Sequence, residues 1–545
     1  MKLKTSLFNW TVFRKDVLRF FPVWTVYSVL QLISLNSAIA FQGSYLASSV
    51  ADSLSSSAID CAFYAALVCL FIFGDLYKTR LCNGIHAMPL QRHTLFFTHA
   101  IAALCFYVVP NAVEAVLMLL LLGRYWYVAL YWLLGTTLVY VCILGICLFC
   151  IFCTGKRFAM VSVFFIILFF PLLLDGLLNT VYKPMLPGIV FSDGLFRRFS
   201  PLYAISSHDY FAIEESFNGY YDLNIISLRP IGSDWLYLVL WAAIGILFAA
   251  AALLLYRRRH LESAGDFLAV RFLRPIFLVC HTLVVAMVFR SMGGIIAMFL
   301  GLLIGYFTGL MLLNRSIRVF SGKAWIGLGV ITGVMVLSLV LTAVDILGIT
   351  RWVPKQEDVK QVRLSSSDYI DEIDISPFYI NDETIMLQDE QGIADVIALH
   401  KFAKSDTRYR GDTVSLNIEY TMKNGSVRTR HYTIPIDSPQ GRLFEQYMSR
   451  PEALFGEDPE GFLSKALITS LNGWSLPLEE QEAVKQMLLE DCRAGYMAQN
   501  YAFRDSKTFR IVLQYDDDST TILVHDYRSS LYRWILKSDY SVSAP

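Results

Sequence analysis

The stretch from residue 126 to residue 153 reads WYVALYWLLGTTLVYVCILGICLFCIFC and contains no charged side chain. A helix of this length extends about 40 Å, which exceeds the roughly 30 Å of hydrocarbon in a bilayer. All backbone polar groups are satisfied inside such a helix, so lipid can surround it. This stretch therefore predicts a membrane-spanning helix, and it decides the class of the fold.

The same criterion predicts nine membrane-spanning helices. The chain is 55% hydrophobic and 17% charged over 545 residues, which is too apolar for a soluble protein of this size. The predicted spans are 21–41, 58–77, 95–122, 126–153, 158–182, 235–256, 272–290, 294–313 and 324–350. We expect an all-α polytopic bundle at 21–350, an interfacial amphipathic helix at 1–20 before it, and a soluble α+β domain at 351–545 after it.

The distribution of charge predicts the orientation in the membrane. Residues 1–350 contain 24 Lys+Arg and 15 Asp+Glu, whereas residues 351–545 contain 22 and 31. Loops on the N-terminal side of the bundle hold 18 basic residues and those on the other side hold six. The positive-inside rule therefore places the N-terminus in the cytoplasm, and nine crossings place the C-terminal domain outside the plasma membrane. No concentrated basic surface is present, which argues against a nucleic-acid partner.

The C-terminal part has the pattern of a folded domain. Hydrophobic residues recur with helical spacing from Ile393 to His400 and again through 478–489. Alternating residues on either side of Asn424-Gly425 predict one β-hairpin, and 509–515 with 520–525 predict a second. Nearly 200 residues are enough to bury an independent core.

Motifs for catalysis, cofactors and metals are missing from the sequence. It contains no phosphate-binding G-x-x-x-x-G-K-[ST], no H-E-x-x-H and no G-x-S-x-G. Cys147, Cys150 and Cys153 have a metal-like spacing, but they lie within the uncharged stretch and are interpreted as helix-packing residues. We therefore expect no enzyme, no cofactor and no metal in this chain.

Two acidic residues in predicted spans are candidates for a translocation path. A carboxylate at the bilayer centre costs roughly 2.5 to 3.5 kcal/mol, so such residues usually have a specific role. Glu114 follows the helix-distorting pair Pro110-Asn111 and lies deepest, whereas Asp175 lies nearer a helix end. Glu114 either forms hydrogen bonds within the bundle or lines a substrate route, and the sequence leaves both open.

Small residues at every fourth position predict close helix packing in the eighth span. They are Ala297, Gly301, Gly305 and Gly309, and Gly329 and Gly333 repeat the spacing in the ninth. Such stripes let backbones approach closely. The expected contact is between the eighth and ninth spans, with a seam between two copies as the alternative.

Two cytoplasmic segments carry a family resemblance. Residues 77–99, YKTRLCNGIHAMPLQRHTLFFTH, resemble the segment after the second helix in permease subunits of bacterial ATP-binding-cassette (ABC) transporters. The matching residues are His-x-x-Pro-Leu-x-Arg at positions 86–92. Residues 256–267, YRRRHLESAGDF, resemble a Y-x-x-R-x-x-E-x-A-G stretch of an exporter-type branch in Gram-positive bacteria, in which a soluble domain can follow the last helix.

The resemblance implies a permease subunit driven by a separate ATPase subunit, paired with a second copy or a related permease. Its ATPase-coupling loop would contain Lys78, Arg80, Ile85, His86, Pro89 and Arg92. In this interpretation a short helix at 82–88 presents Ile85 and His86 to a groove on the ATPase. The alternative is a membrane receptor or sensor whose ectodomain binds a ligand without transport.

Overall fold

The computed structural model of the protein describes residues 7–39, 44–87, 90–190, 194, 196–218, 222–258, 265–346, 348–365, 384–405, 413–435, 438–448, 450–455, 458–494, 496, 504–515, 518–526, 528–538 and 540. The helices in this part of the chain are α1 Trp10–Arg19, α2 Phe21–Ile39, α3 Ser44–Ile72, α4 Thr79–His86, α5 Arg92–Leu121, α6 Tyr127–Cys153, α7 Arg157–Leu177, α8 Pro201–Ser206, α9 Gly232–Arg258, α10 Leu273–Asn314, α11 Gly322–Val344, α12 Glu390–Ser405, α13 Pro439–Met448, α14 Pro451–Phe455, α15 Pro459–Lys465, α16 Leu478–Arg493 and α17 Ser530–Lys537. The strands are β1 Gly188–Ile189, β2 Phe211–Asn218, β3 Asp222–Pro230, β4 Val359–Ser365, β5 Thr384–Leu387, β6 Thr413–Met422, β7 Val427–Pro435, β8 Leu467–Leu471, β9 Arg504–Tyr515 and β10 Asp518–Asp526.

Seven helices of the described chain are long and apolar enough to cross a membrane, namely α3, α5, α6, α7, α9, α10 and α11. The pair α1 and α2 meets the same test together and is bent by 62° between the two helices. A bend of this size suits an amphipathic helix that lies in the interface and leads into a span. The chain is thus a membrane protein built mainly of helices.

The helix α3 begins at Ser44, fourteen residues before the predicted start. Hydropathy underrates this segment because it is rich in serine. Inside the helix, however, hydroxyls donate to carbonyl oxygens one turn back, as Ser53 does to Val50 at 2.7 Å and Ser57 does to Leu54 at 2.7 Å. The serine hydroxyls are therefore hydrogen-bonded within the helix itself. The segment packs inside the bundle, where Leu54 is fully buried.

Pro110 removes one backbone donor from the interior of α5. The carbonyl of Phe106, four residues earlier, loses its helical partner because proline has no N–H. The Tyr64 hydroxyl of α3 donates to this carbonyl at 3.0 Å. A tyrosine from the neighbouring helix therefore replaces the missing hydrogen bond inside the bundle.

The 42-residue helix α10 is a hairpin of two antiparallel halves rather than one rod. Its backbone is non-helical at Gly293 and Gly294, and Gly294 has a φ of +77°. His281 Nε2 lies 3.2 Å from Thr308 Oγ1, although 27 residues of straight helix would separate them by about 40 Å. Glycine tolerates the left-handed turn. Each half is long enough to cross a bilayer.

The predicted contact between the eighth and ninth spans is present at Phe307 and Trp325, whose ring centres lie 4.8 Å apart, but the small-residue stripe does not make it. The stripe lies against the first half of α10 instead of α11. A Cβ added at Gly301 would lie 2.8 Å from Ala286 Cα, and one added at Gly305 would lie 2.9 Å from Val285 Cβ. Gly309 meets Leu278 in the same way at 2.8 Å, whereas Gly329 and Gly333 have no atom within 4 Å of an added Cβ. The turn at Gly293 and Gly294 folds the second half of α10 back on the first half. The glycine stripe therefore faces residues before the turn instead of α11.

The chain forms two compact units. The membrane unit comprises Met1–Val181 and Asp193–Ser338, and the C-terminal unit comprises Tyr182–Ser192 and Leu339–Pro545. Their boundaries differ from the sequence boundary at 350, because the segment after α7 supplies a strand to the C-terminal unit. That strand, β1, pairs antiparallel with β7 through Gly188↔His431 and Ile189↔Arg430.

The C-terminal unit contains two hydrophobic cores with the same order of elements. One sheet has the order β1-β7-β6-β4-β5 and the other has the order β10-β9-β8. Each core follows a β-α-β-β-α order, β4-α12-β6-β7-α13 in one and β8-α16-β9-β10-α17 in the other, with β5 added to the first. Both predicted hairpins and both predicted helices are confirmed. The hairpin β2-β3 in the loop before α9 was not predicted.

We expect Gly305→Leu to destabilise the membrane unit. The new side chain would overlap Val285 and Thr282, and overpacking of this kind costs about 1 to 3 kcal/mol. The matched control is Gly333→Leu, whose Cβ meets no atom within 4 Å. Thermal stability and folded yield in detergent measure the difference, and equal losses in the two variants would contradict the hairpin.

Candidate functional site

The candidate functional site lies where α1, α4, α5 and α9 meet. Two side-chain contacts, Asp16–His99 and Arg19–Asp75, hold the helix α1 there. Asp16, which is buried, lies 2.6 Å from His99 Nδ1, and Arg19 donates to Asp75 at 2.8 Å. The backbone N–H of Asn9 also donates to Thr98 at 3.0 Å. These contacts fix the amphipathic helix to the start of α5 and to the segment that follows α3.

The helix α4 is fixed from behind by the end of α9. His86 Nε2 lies 3.1 Å from the Tyr256 hydroxyl, and the two rings meet edge to face. Arg92 donates to the carbonyl oxygens of Tyr256 at 3.0 Å and Arg257 at 3.1 Å. The structure thus brings together His86 and Arg92 of the predicted coupling loop. Both form hydrogen bonds with Tyr256 and do not form an outward surface.

The structure contradicts the expectation that Ile85 and His86 project towards a partner. Ile85 is half-buried and lines a small cavity with Phe96, His99 and Tyr256. The helix also runs over Thr79–His86 instead of 82–88. The sequence alone did not reveal which face of α4 is covered. The covering residue, Tyr256, lies 170 residues away from His86 along the chain. Pro89 lies outside the described residues.

The outer face of α4 consists of Arg80, Leu81, Asn83 and Gly84, all of which are exposed. Lys78, which precedes the helix, is exposed as well. Leu81 exposes 40% of its surface. Leu81 is an apolar side chain flanked by the cation Arg80 and by the small residues Asn83 and Gly84. Such an arrangement is a suitable anchor for a protein partner.

Two further loops join the same end of the membrane unit. Thr154 and Leu268 form an isolated bridge, and the N–H of Gly265 donates to the carbonyl of Gly155 at 2.8 Å. Asp266 forms an ion pair with Arg315. The part of the 256–267 motif that the structure describes is therefore tied to neighbouring loops.

Inside the membrane unit, Glu114 belongs to a polar row on α5. Tyr107, Asn111 and Glu114 occupy positions i, i+4 and i+7 and share one face of the helix. Asn111 Oδ1 accepts hydrogen bonds from the Tyr27 hydroxyl at 2.9 Å and from Gln31 at 3.1 Å. Tyr107 accepts from the Cys61 thiol at 3.1 Å and stacks on Tyr140. The row is packed against tyrosines from three other helices.

Asp175 is not brought together with Glu114. Its carboxylate accepts a hydrogen bond from Arg197 at 2.9 Å and from Asn179 at 3.3 Å. The ion pair is largely buried and neutralises the acid in place. Asp175 therefore joins the end of α7 to the segment after it, and its geometry gives no support to a role in translocation.

The C-terminal unit has a polar centre that the sequence did not reveal. His400 is fully buried, with its ring nitrogens 3.1 Å from the Tyr420 hydroxyl and 3.0 Å from the Tyr432 hydroxyl. Burial, with the charges of Arg430 and Lys404 nearby, lowers the pKa of His400 to about 4. The imidazole is neutral at pH 7, so it donates to one hydroxyl and accepts from the other.

Arg430 connects this centre to the segment that leaves α11. Its guanidinium lies 5.0 Å from the centre of the Trp352 ring, and Arg428 approaches the same ring at 4.6 Å. Arg430 also donates to the carbonyl of Ile349 at 3.2 Å. The strand β7 thus holds both segments that leave the membrane helices, namely β1 after α7 and 349–352 after α11.

No known family, curated protein or solved structure matches this chain.

We expect the C-terminal unit to lose stability as the pH falls from 7 to 4. The unfolded chain binds a proton at His400 near its ordinary pKa of about 6.5, whereas the folded unit binds it only near pH 4. Protonation in this window therefore favours unfolding, with a maximum effect of about 3 kcal/mol. Hydrogen exchange of β6 and α12 in the full chain measures it.

His400→Gln is the matched variant because it keeps two hydrogen-bonding atoms but does not titrate. Its stability should depend less steeply on pH than that of the wild type between pH 4 and 6.5. Parallel slopes for the two proteins would show that His400 does not control the transition.

Proposed function

We propose that this chain is the membrane-spanning permease subunit of an ABC transporter, forming the translocation path and driven by a separate ATPase subunit. The ATPase docks on the outer face of α4. The observation that carries the proposal is the fixation of α4 from behind by His86, Arg92 and Tyr256. A docking helix must transmit force, and a helix that is tied to a membrane span can do so.

The route for this force runs through α9 into the centre of the bundle. Tyr256 lies near the end of α9, and α9 packs closely along α6. At the crossing, a Cβ on Gly145 would overlap the carbonyl of Gly245, so the two backbones are in direct contact. Movement of α4 is thereby coupled to two helices that contain no charged residue over most of their length.

The proposed topology has nine crossings, with the N-terminus in the cytoplasm and the C-terminal unit outside the cell. The pairing of β1 with β7 supports an even number of crossings between α7 and the C-terminal unit. The helix α9, the two halves of α10 and α11 supply four. A second permease copy or a related permease completes the transporter, and export is the proposed direction.

A membrane sensor is the second candidate, favoured by the attachment of the C-terminal unit through two segments, β1 and 349–352. A ligand that shifted β7 would act on both segments. The two functions differ in the partner, because only the permease requires an ATPase. Purification in mild detergent with identification of the associated proteins separates them.

We expect Arg80→Glu combined with Leu81→Asp to reduce ATPase co-purification at least tenfold. Both residues are exposed, so the fold should survive, while the apolar anchor and one charge of the docking face are lost. The charge-matched control is Arg124→Glu, an exposed residue at the opposite end of α5 and α6.

Ile85→Asp serves as a contrasting variant. Its side chain faces Phe96 and Tyr256, so it should lower the stability of the membrane unit. Normal ATPase recruitment by the Arg80/Leu81 variant would exclude α4 as the docking site.

A further inference from the structure

A groove between α2 and α3 opens on the surface of the membrane unit. Its walls include Pro22, Val26 and Leu30 of α2 and Leu67 of α3, and its volume is about 240 Å³. Val26, Leu30 and Leu67 are exposed. The lining extends along α2 for about 12 Å. Lipid tails are as apolar as these side chains, so a groove of this composition accepts an alkyl chain.

Two tyrosines close the groove on its inner side. The rings of Tyr27 and Tyr64 belong to the lining and stack with their centres 4.0 Å apart. Their hydroxyls are directed to α5. Tyr27 donates to Asn111 at 2.9 Å, and Tyr64 donates to the carbonyl of Phe106 at 3.0 Å. The groove itself therefore offers ring and alkyl surface, and the polar part of a ligand has to be bound at one end of it.

Arg19 lies at the α1 end of the groove, where it connects the two walls. On α2 the lining begins at Pro22, three residues after Arg19. On α3 the lining residue Leu67 lies about two turns before Asp75, which accepts a hydrogen bond from Arg19 at 2.8 Å. A lipid chain in the groove would thus have its polar end beside Arg19.

The guanidinium of Arg19 keeps donors for a second acceptor. Its side chain is 46% exposed, and Asp75 accepts from Nη1 at 2.8 Å and from Nη2 at 3.4 Å. A guanidinium has five N–H groups, so about three remain. Lys15, one turn earlier on the same face of α1, is exposed, as is Arg14. These three cations outnumber the two acids beside them, Asp16 and Asp75, so this end is positive and fits an anionic headgroup.

We propose that the groove between α2 and α3 is a binding site for an anionic phospholipid. One acyl chain lies in the groove against Tyr27 and Tyr64. A phosphate oxygen accepts hydrogen bonds from Arg19, and Lys15 adds positive charge at the headgroup. The site therefore selects anionic over zwitterionic lipids. It requires only the residues of this chain and does not depend on the proposed transport function.

A photoreactive phospholipid tests the site. Phosphatidylglycerol with a diazirine on one acyl chain is mixed at low mole fraction into phosphatidylcholine nanodiscs that hold the full chain. The matched probe is phosphatidylcholine with the same acyl chain. Irradiation expels N₂ and leaves a carbene that inserts into a neighbouring C–H bond, so the mass of each peptide shows where the chain lay. We expect adducts at residues 22–30 and 64–67, about fivefold more with the anionic probe.

Val26→Trp tests the groove, because the larger side chain would fill it. The matched control is Val29→Trp. Val26 exposes 58% of its surface and Val29 exposes 50%, but Val29 does not belong to the lining. Val26→Trp should reduce the adducts on the α3 peptide that contains Leu67 at least fivefold, and Val29→Trp should leave them unchanged.

The pair Arg19→Gln and Asp75→Asn separates headgroup binding from a structural role of Arg19. Both variants break the same ion pair, but they change the charge at the end of the groove in opposite directions. Arg19→Gln should lower the preference for the anionic probe about fivefold. Asp75→Asn should maintain or raise this preference, because it frees the guanidinium for the phosphate.

Equal labelling of the Leu67 peptide by the two probes would overturn the proposal. So would equal losses in Val26→Trp and Val29→Trp, or an equal fall in Arg19→Gln and Asp75→Asn. The absence of adducts from residues 22–30 and 64–67 would also overturn it and would leave a second copy of the chain as the occupant of the groove. None of these measurements needs an ATPase, so they are independent of docking at α4.

Discussion

The pairing of β1 with β7 constrains the path of the whole chain. It places the segment after α7 and the segment after α11 in one sheet, on one side of any membrane. Gly188 makes this pairing possible, because its φ is +79° and a Cβ at this position would overlap the Tyr432 ring. The two-residue strand β1 therefore depends on Gly188, which packs against Tyr432, a hydrogen-bonding partner of His400.

The fold of α10 follows from this constraint. As a single rod, α10 would give three crossings between β1 and β7 in the proposed topology and would place the two strands on opposite sides. With the turn at Gly293 and Gly294 the proposed topology has four, and the glycines that follow the turn pack the second half on the first. The local backbone at the turn and the long-range sheet are thus both consistent with the proposed topology. Within the membrane unit, the hydrogen bonds of His86 and Arg92 to residues 256–257 hold α4 against the end of α9, which is the basis of the docking surface proposed above.

Hydropathy and alternation predicted much of the fold, since both are local properties of the chain. The helix α6 and the hairpin at Asn424-Gly425 match the structure closely for this reason. The serine-rich start of α3 was missed because its hydroxyls bond within the helix, and β1 was missed because two residues carry no pattern. The candidate site was harder to predict. The contacts of His86 and Arg92 with Tyr256 join residues more than 160 positions apart, and no spacing rule reveals which face of α4 they cover.

The most direct test of the β1–β7 constraint uses single cysteines at Val190 and Ser426. Both positions are exposed, one next to β1 and the other in the turn between β6 and β7. A membrane-impermeant maleimide, applied to intact cells and again after lysis, reports the side of each residue. The proposed topology predicts that both cysteines react fully in intact cells. Labelling of one in intact cells and of the other only after lysis would contradict the pairing and the topology that depends on it.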